Sequence, residues 1–234
     1  MRTLWCRAGL VLLVSFGLSN RVQAGESWTN ASAQERGRQA LTGTSFVAPE
    51  WGLDAYPTAL SRAGQKAPAP EADPQGYQDA FNDRYGLHRA PYANDGLPMG
   101  LRRATAPDGR VGLNLDCMTC HGGSIGGRTY VGLGNTQIDI EALLTDLTVA
   151  DDRPAPKFVL FRLNTTRGNN NAGQLAVFLL SLRNARDLSK RSFPLITGTQ
   201  LPELDTPAWW LLKKKQTKYY DGRTPAQAVR SNMQ

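Results

Sequence analysis

Cysteine and histidine are nearly missing from this chain. Its 234 residues include three cysteines (Cys6, Cys117 and Cys120) and two histidines (His88 and His121). A structural zinc site needs four ligands, usually from two spaced pairs, and no second C-x-x-C exists to supply them. Long apolar runs are missing too. Residues 10–18 are the longest, and a bilayer crossing needs about 20 apolar residues. Concentrated positive charge is lacking apart from Lys213-Lys214-Lys215, whereas a nucleic-acid protein would show basic patches. That triplet reads as solvated surface, or alternatively as a docking patch for an acidic redox partner. No stretch alternates with period two for long, which argues against extended strands.

The most informative stretch is Cys117-Met118-Thr119-Cys120-His121. Two cysteines three positions apart, with a histidine directly after them, match the attachment spacing of c-type haem. Cys117 and Cys120 would each form a thioether to a porphyrin vinyl group. His121 would ligate the iron as the proximal ligand. One covalently attached haem c is therefore the expected cofactor. A redox-active disulfide would call for a neighbouring βαβ pattern, and none flanks the motif.

The N-terminus fits this chemistry. Arg2 and Arg7 precede the apolar run, and Val22-Gln23-Ala24 offers a small-residue cleavage site. Residues 1–24 are expected to be a signal peptide, an uncleaved anchor being the alternative. The mature chain would then be periplasmic or secreted and would not span the membrane. Cleavage would remove Cys6, Arg2, Arg7 and Arg21 and lower the formal charge from +7 to +4.

Apolar content of 41% suffices for a core, and 23 glycines with 14 prolines imply long irregular connections. Helices are expected at 32–42, with Ser32 as cap, and at 75–85, with Tyr77, Phe81 and Tyr85 on one face. Further helices are expected at 136–147, with Ile140, Leu143, Leu144 and Leu147 on one face, and at 174–184. Residues 63–76 read as an exposed connection and 86–114 as loop, with turns at Asn94-Asp95-Gly96 and Pro107-Asp108-Gly109. Four glycines in 122–127 let backbone approach a flat ligand closely. Arg128 would pair with a haem propionate or face water. Residues 206–212 read as an apolar packing segment. Tyr219-Tyr220-Asp221-Gly222-Arg223 reads as a turn, after which Thr224-Pro225 opens a helix. That helix has no stop signal, which suggests a chain cut short, although a frayed end is equally legal. The fold class expected is mainly α, with long loops around the haem.

The motif and its surroundings resemble the di-haem cytochrome c peroxidase superfamily, most closely its rubber-oxygenase-like branch. The residues concerned are 94–100, 117–123, Asn135-Thr136, 204–210 and the 219–223 element. The resemblance implies a cytochrome c-like haem domain over 25–190. It implies that 191–234 form a connection and the start of a truncated second haem domain. Such proteins carry two C-x-x-C-H motifs and this chain carries one, which implies a fragment. Tyr220 stands where the family's element has a histidine.

Three functions follow. The first is an electron-transfer cytochrome whose sixth ligand is Met99, or less favourably His88, which the polar residues around it suggest is exposed. Met118, inside the attachment loop, is a poor candidate for that position. The second is the first half of a di-haem oxidoreductase with an open iron position; catalysis would need the second haem. The third is a haem-bearing sensor module.

Overall fold

The computed structural model describes residues 32–43, 45–155, 166–168, 205–218, 222 and 224–227. The expectations for the signal peptide, for the helix at 174–184 and for Tyr219, Tyr220, Asp221 and Arg223 lie outside them. The chain divides into two units, Met1–Ala40 and Leu41–Gln234. Helix α1, Ala33–Gly43, contains the division. It starts as expected, with Ser32 Oγ accepting from Glu35 N–H.

The apolar core of the second unit is built mostly on three helices, with Trp51, Leu87, Leu97, Leu101, Leu113 and Ile138 joining it from outside them. Helix α2, Ala55–Arg62, packs on α5, Ile140–Ala150, and α3, Pro74–Tyr85, also meets α5. The start of α3 follows from its sequence. Asp73 accepts from Gly76 N–H at 2.8 Å, and Pro74 occupies the first helical position, where no amide partner is needed. Gly86 ends the helix in the left-handed conformation at φ 68°. A Cβ there would lie 1.7 Å from the Gln137 carbonyl oxygen. Tyr77, Phe81 and Tyr85 all face inward, as do Ile140, Leu143, Leu144 and Leu147. Helix α5 begins later than the expected 136, because Asp139 caps it by accepting from Ala142 N–H.

The expectation of a mainly α fold is overturned: among the described residues, three antiparallel strand pairs make the architecture mixed α and β. Strands β1, Leu101–Thr105, and β2, Val111–Leu115, pair within the stretch expected to be loop. The turn at 107–109 is real, but it joins two strands. Strands β3, Gly122–Ile125, and β4, Arg128–Val131, pair across Gly126 and Gly127, both at positive φ. Those glycines thus serve a two-residue hairpin turn, which needs positive φ at both positions. Strands β5, Thr217–Lys218, and β6, Thr224–Pro225, pair as well. Thr224-Pro225 therefore does not open a helix. These strands escape sequence patterning because they are two to five residues long, and because β1 turns a buried arginine, Arg102, inward.

Candidate cofactor-attachment site

Cys117 leads into a single helical turn, α4, Met118–His121. On a helical turn, positions i, i+3 and i+4 share a face. Cys117, Cys120 and His121 occupy those positions. A helix this short cannot hold itself, because its first amides and last carbonyls lack internal partners. The surrounding chain supplies them. At the start, Asp116 Oδ1 accepts from Met118 N–H at 2.7 Å, and the Asp116 carbonyl accepts from Thr119 N–H. At the end, Asn135 N–H donates to the Cys120 carbonyl and Gly132 N–H to the His121 carbonyl, at 2.8 and 2.7 Å. The Thr119 carbonyl accepts from Asn135 Nδ2.

Two close approaches lock the turn laterally. The Gly100 carbonyl accepts from Asp116 N–H and from Thr119 Oγ1. Gly100 sits at φ 99°, and a Cβ there would lie 2.5 Å from Thr119 Cα. Gly122 lies against Met99, whose Cε would be 2.7 Å from an added Cβ. The glycines after the motif therefore admit the protein's own chain.

Asp116 is itself held. Its Oδ2 accepts from Arg102 Nε at 2.7 Å, and the two side chains are only 7% and 6% exposed. Arg102 also donates to the Leu41 and Thr42 carbonyls and lies over the Tyr92 ring.

His121 is partly buried and packs on Trp209, with ring centroids 5.0 Å apart. Trp209 is strapped in place by its own N–H, which donates to the Gly132 carbonyl. Desolvation pulls the imidazole pKa down to about 4, opposed by the Pro207 carbonyl. His121 Nδ1 is buried with no hydrogen-bond partner among the described residues. Burial pushes the Cys120 thiol up to about 12, with the neighbouring Cys117 adding to the effect. Cys117 is an exposed residue whose sulfur is partly shielded by its neighbours, and its pKa is also raised, by that desolvation and then by the Asp116 charge. Both thiols are thus protonated at neutral pH.

These features fit a covalently held porphyrin: two neutral thiols on one turn, with a neutral imidazole beside them. Among the described residues no group of three or more His, Cys, Asp or Glu side chains is placed to hold a metal ion. The three motif side chains therefore do not converge on one point, as a tetrahedral site would require. Two surface hollows, one between Pro49 and Asp151 and one between Asp54 and Tyr77, do not touch the motif.

The other candidates fall as follows. Met99 is 1% exposed and packs against Gly122. His88 is half-buried, not exposed. Its Nε2 pairs with Asn135 Oδ1 at 3.3 Å and its Nδ1 with Ser124 Oγ at 3.1 Å. Asn135 Nδ2 donates to the Gly86 and Thr119 carbonyls, so its oxygen faces His88. Nε2 then carries the proton and Nδ1 accepts from Ser124. Burial lowers the His88 pKa. Arg128 is exposed, as are Lys213, Lys214 and Lys215.

Sequence reasoning missed Asp116, Arg102 and Gly100. A signal existed for the first: an aspartate directly ahead of a short helix is a typical cap. Among the described residues, no helix is long and apolar enough to cross a membrane. No protein-family model, no curated protein and no solved structure matches the chain.

Proposed function

We propose that this is an exported c-type cytochrome that carries one haem and takes part in electron transfer. Cys117 and Cys120 form the thioethers, and His121 ligates the iron. The observation that carries this is the shared face of Cys117, Cys120 and His121 on one braced turn, with the imidazole held neutral. Bound there, haem would supply an iron for one-electron chemistry. The protein's part is to hold a turn that presents two protonated thiols and an imidazole ready to coordinate. Trp209 fixes the plane of the His121 ring by packing on it. Export to the periplasm or beyond, through a signal peptide at 1–24, would place the motif where c-type attachment occurs.

Resemblance to the first domain of di-haem peroxidases and oxygenases supports a role as the N-terminal part of such an oxidoreductase. The partner would be a second haem domain or a redox protein. Met99 packs on Gly122, and held there it would not ligate the iron, which would leave a position open to a small molecule. The stand-alone electron-transfer alternative keeps Met99 as the sixth ligand. It requires that side chain to leave its contact with Gly122.

Expression with haem-attachment machinery, followed by a denaturing gel stained for haem, tests the proposal. The wild type should give a stained band, and the Cys117→Ala, Cys120→Ala double variant none. A wild type that binds zinc and no haem would refute it. For the axial position, the ferric protein should be high-spin and respond to cyanide. A near-infrared Met–iron band that disappears in Met99→Ala would overturn the open position.

A further inference from the structure

We propose that Asp116, held by Arg102, is a positioning residue that braces the attachment turn and places Cys117 for its thioether. This rests on the assignment of Cys117–His121 as the attachment motif, and it concerns how the chain prepares for that chemistry.

The two ends of the turn are held by different means. At the C-terminal end, backbone and amide groups of Gly132 and Asn135 bind the carbonyls of Thr119, Cys120 and His121. At the N-terminal end the first amide, Met118 N–H, depends on the Asp116 carboxylate. That carboxylate is divided. One oxygen accepts from Met118 and the other from Arg102, both at 2.7 Å. A carboxylate that is 6% exposed has little water to turn towards, so Arg102 fixes which oxygen faces the turn. Arg102 is in turn anchored by the carbonyls of Leu41 and Thr42, at 3.0 and 2.8 Å. The contacts run without a break from residues 41–42 through the buried pair Arg102 and Asp116 to the exposed Cys117.

Attachment adds the Cys117 sulfur to one vinyl carbon and the thiol hydrogen to the other. A C–S and a C–H bond form, the C=C double bond becomes single, and no external oxidant or reductant takes part. The step asks the protein only for a protonated thiol in the right place. Cys120 is placed by the Asn135 amide on its carbonyl. Cys117 is placed by the residue just before it. Loss of the Asp116 cap should therefore separate the two thioethers.

The test is mass spectrometry of haem peptides from the full chain co-expressed with attachment machinery, with the melting curve of each variant beside it. Loss of a cap shifts a helical turn's population about fivefold. In Asp116→Ala the fraction of molecules carrying the Cys117 thioether should fall about that much relative to the Cys120 thioether. The remaining haem should be singly attached, with a red-shifted pyridine haemochrome. Asp116→Asn combined with Arg102→Met removes both charges together and keeps an oxygen for Met118 N–H. With Arg102 no longer fixing which atom faces the turn, it should keep more of the Cys117 thioether than Asp116→Ala and less than the wild type, and this partial rescue separates the role from a general one in folding. If Asp116→Ala keeps both thioethers at the wild-type ratio, the proposal is overturned. It is equally overturned if both thioethers fall together in step with the melting temperature, or if the double variant loses the Cys117 thioether as Asp116→Ala does. A wild type with no haem would instead strike at the motif assignment itself.

Discussion

The helical core and the attachment turn lie in the same unit and are held together differently. Helices α2, α3 and α5 meet through apolar side chains, with Phe81, Ala59 and Leu143 fully buried at their centre. The attachment turn is held by its amides donating to Asp116, by Gly132 and Asn135 donating to its carbonyls, and by glycine close approach at Gly100. Apolar packing is non-directional and tolerates small shifts. Hydrogen bonds to a single turn are directional and fix the placement of three side chains. A change in the core should therefore cost stability, and a change around the turn should cost cofactor loading.

Truncation in the core should give the largest effect on stability. Phe81 is 0% exposed and touches Tyr56, Tyr77 and Tyr85 through its ring. Phe81→Ala should destabilise by about 3–5 kcal/mol, measured by urea unfolding. The molecules that remain folded should carry haem at the wild-type ratio. A loss of haem from the folded fraction would break the distinction between the two regions.

The next effect is a pH dependence of the protein without haem. Burial lowers the His121 pKa to about 4, below its ordinary value of 6.5. The unfolded chain binds a proton on this ring more readily than the folded one. This contribution to stability is fully present above pH 6.5 and is lost as pH falls towards 4. It amounts to on the order of 3 kcal/mol. His88, also lowered, adds in the same direction. His121→Gln should flatten the fall in melting temperature between pH 6.5 and 4, and an unchanged slope would contradict this.

Two glycines sharpen the comparison further. Gly100 and Gly109 both have positive φ, 99° and 86°. An added Cβ at Gly100 strikes Thr119 backbone, whereas at Gly109 it meets nothing within 4 Å. Gly109→Ala should cost about 1–2 kcal/mol, the conformational penalty alone. Gly100→Ala should cost more and should reduce haem per folded molecule, read from the haem-to-protein absorbance ratio. Equal behaviour of the two variants would mean that Thr119 gives way without moving the turn.

The smallest effect belongs to a helix cap. Asp139→Ala should lower stability by about 1 kcal/mol and leave haem loading unchanged, since α5 contributes no backbone bond to the turn.

The same contrast explains what the residues disclosed in advance. Tyr77, Phe81 and Tyr85, and Ile140 to Leu147, reveal their helices because apolar periodicity reports burial directly. The motif stands out because the spacing of Cys117, Cys120 and His121 matches that of c-type haem attachment. What surrounds the motif leaves no period. Arg102 reads as a surface charge until Asp116 is seen beside it. Gly100 reads as a turn residue until Thr119 is found against it. The β1–β2 and β3–β4 hairpins are too short and too rich in Arg and Gly to alternate visibly. His88 sits among polar neighbours in sequence, yet it is half-buried because Asn135 and Ser124 reach it from 47 and 36 residues away.

The central claim is covalent haem on Cys117 and Cys120. Its most direct test is the intact mass of the mature protein after acid–acetone extraction, which strips haem that is not covalently bound. The account predicts a mass higher than that of the polypeptide by one haem, returning to the bare polypeptide mass in the Cys117→Ala, Cys120→Ala variant. A wild type with the bare polypeptide mass, purified from cells in which a known c-type cytochrome is loaded, would contradict it.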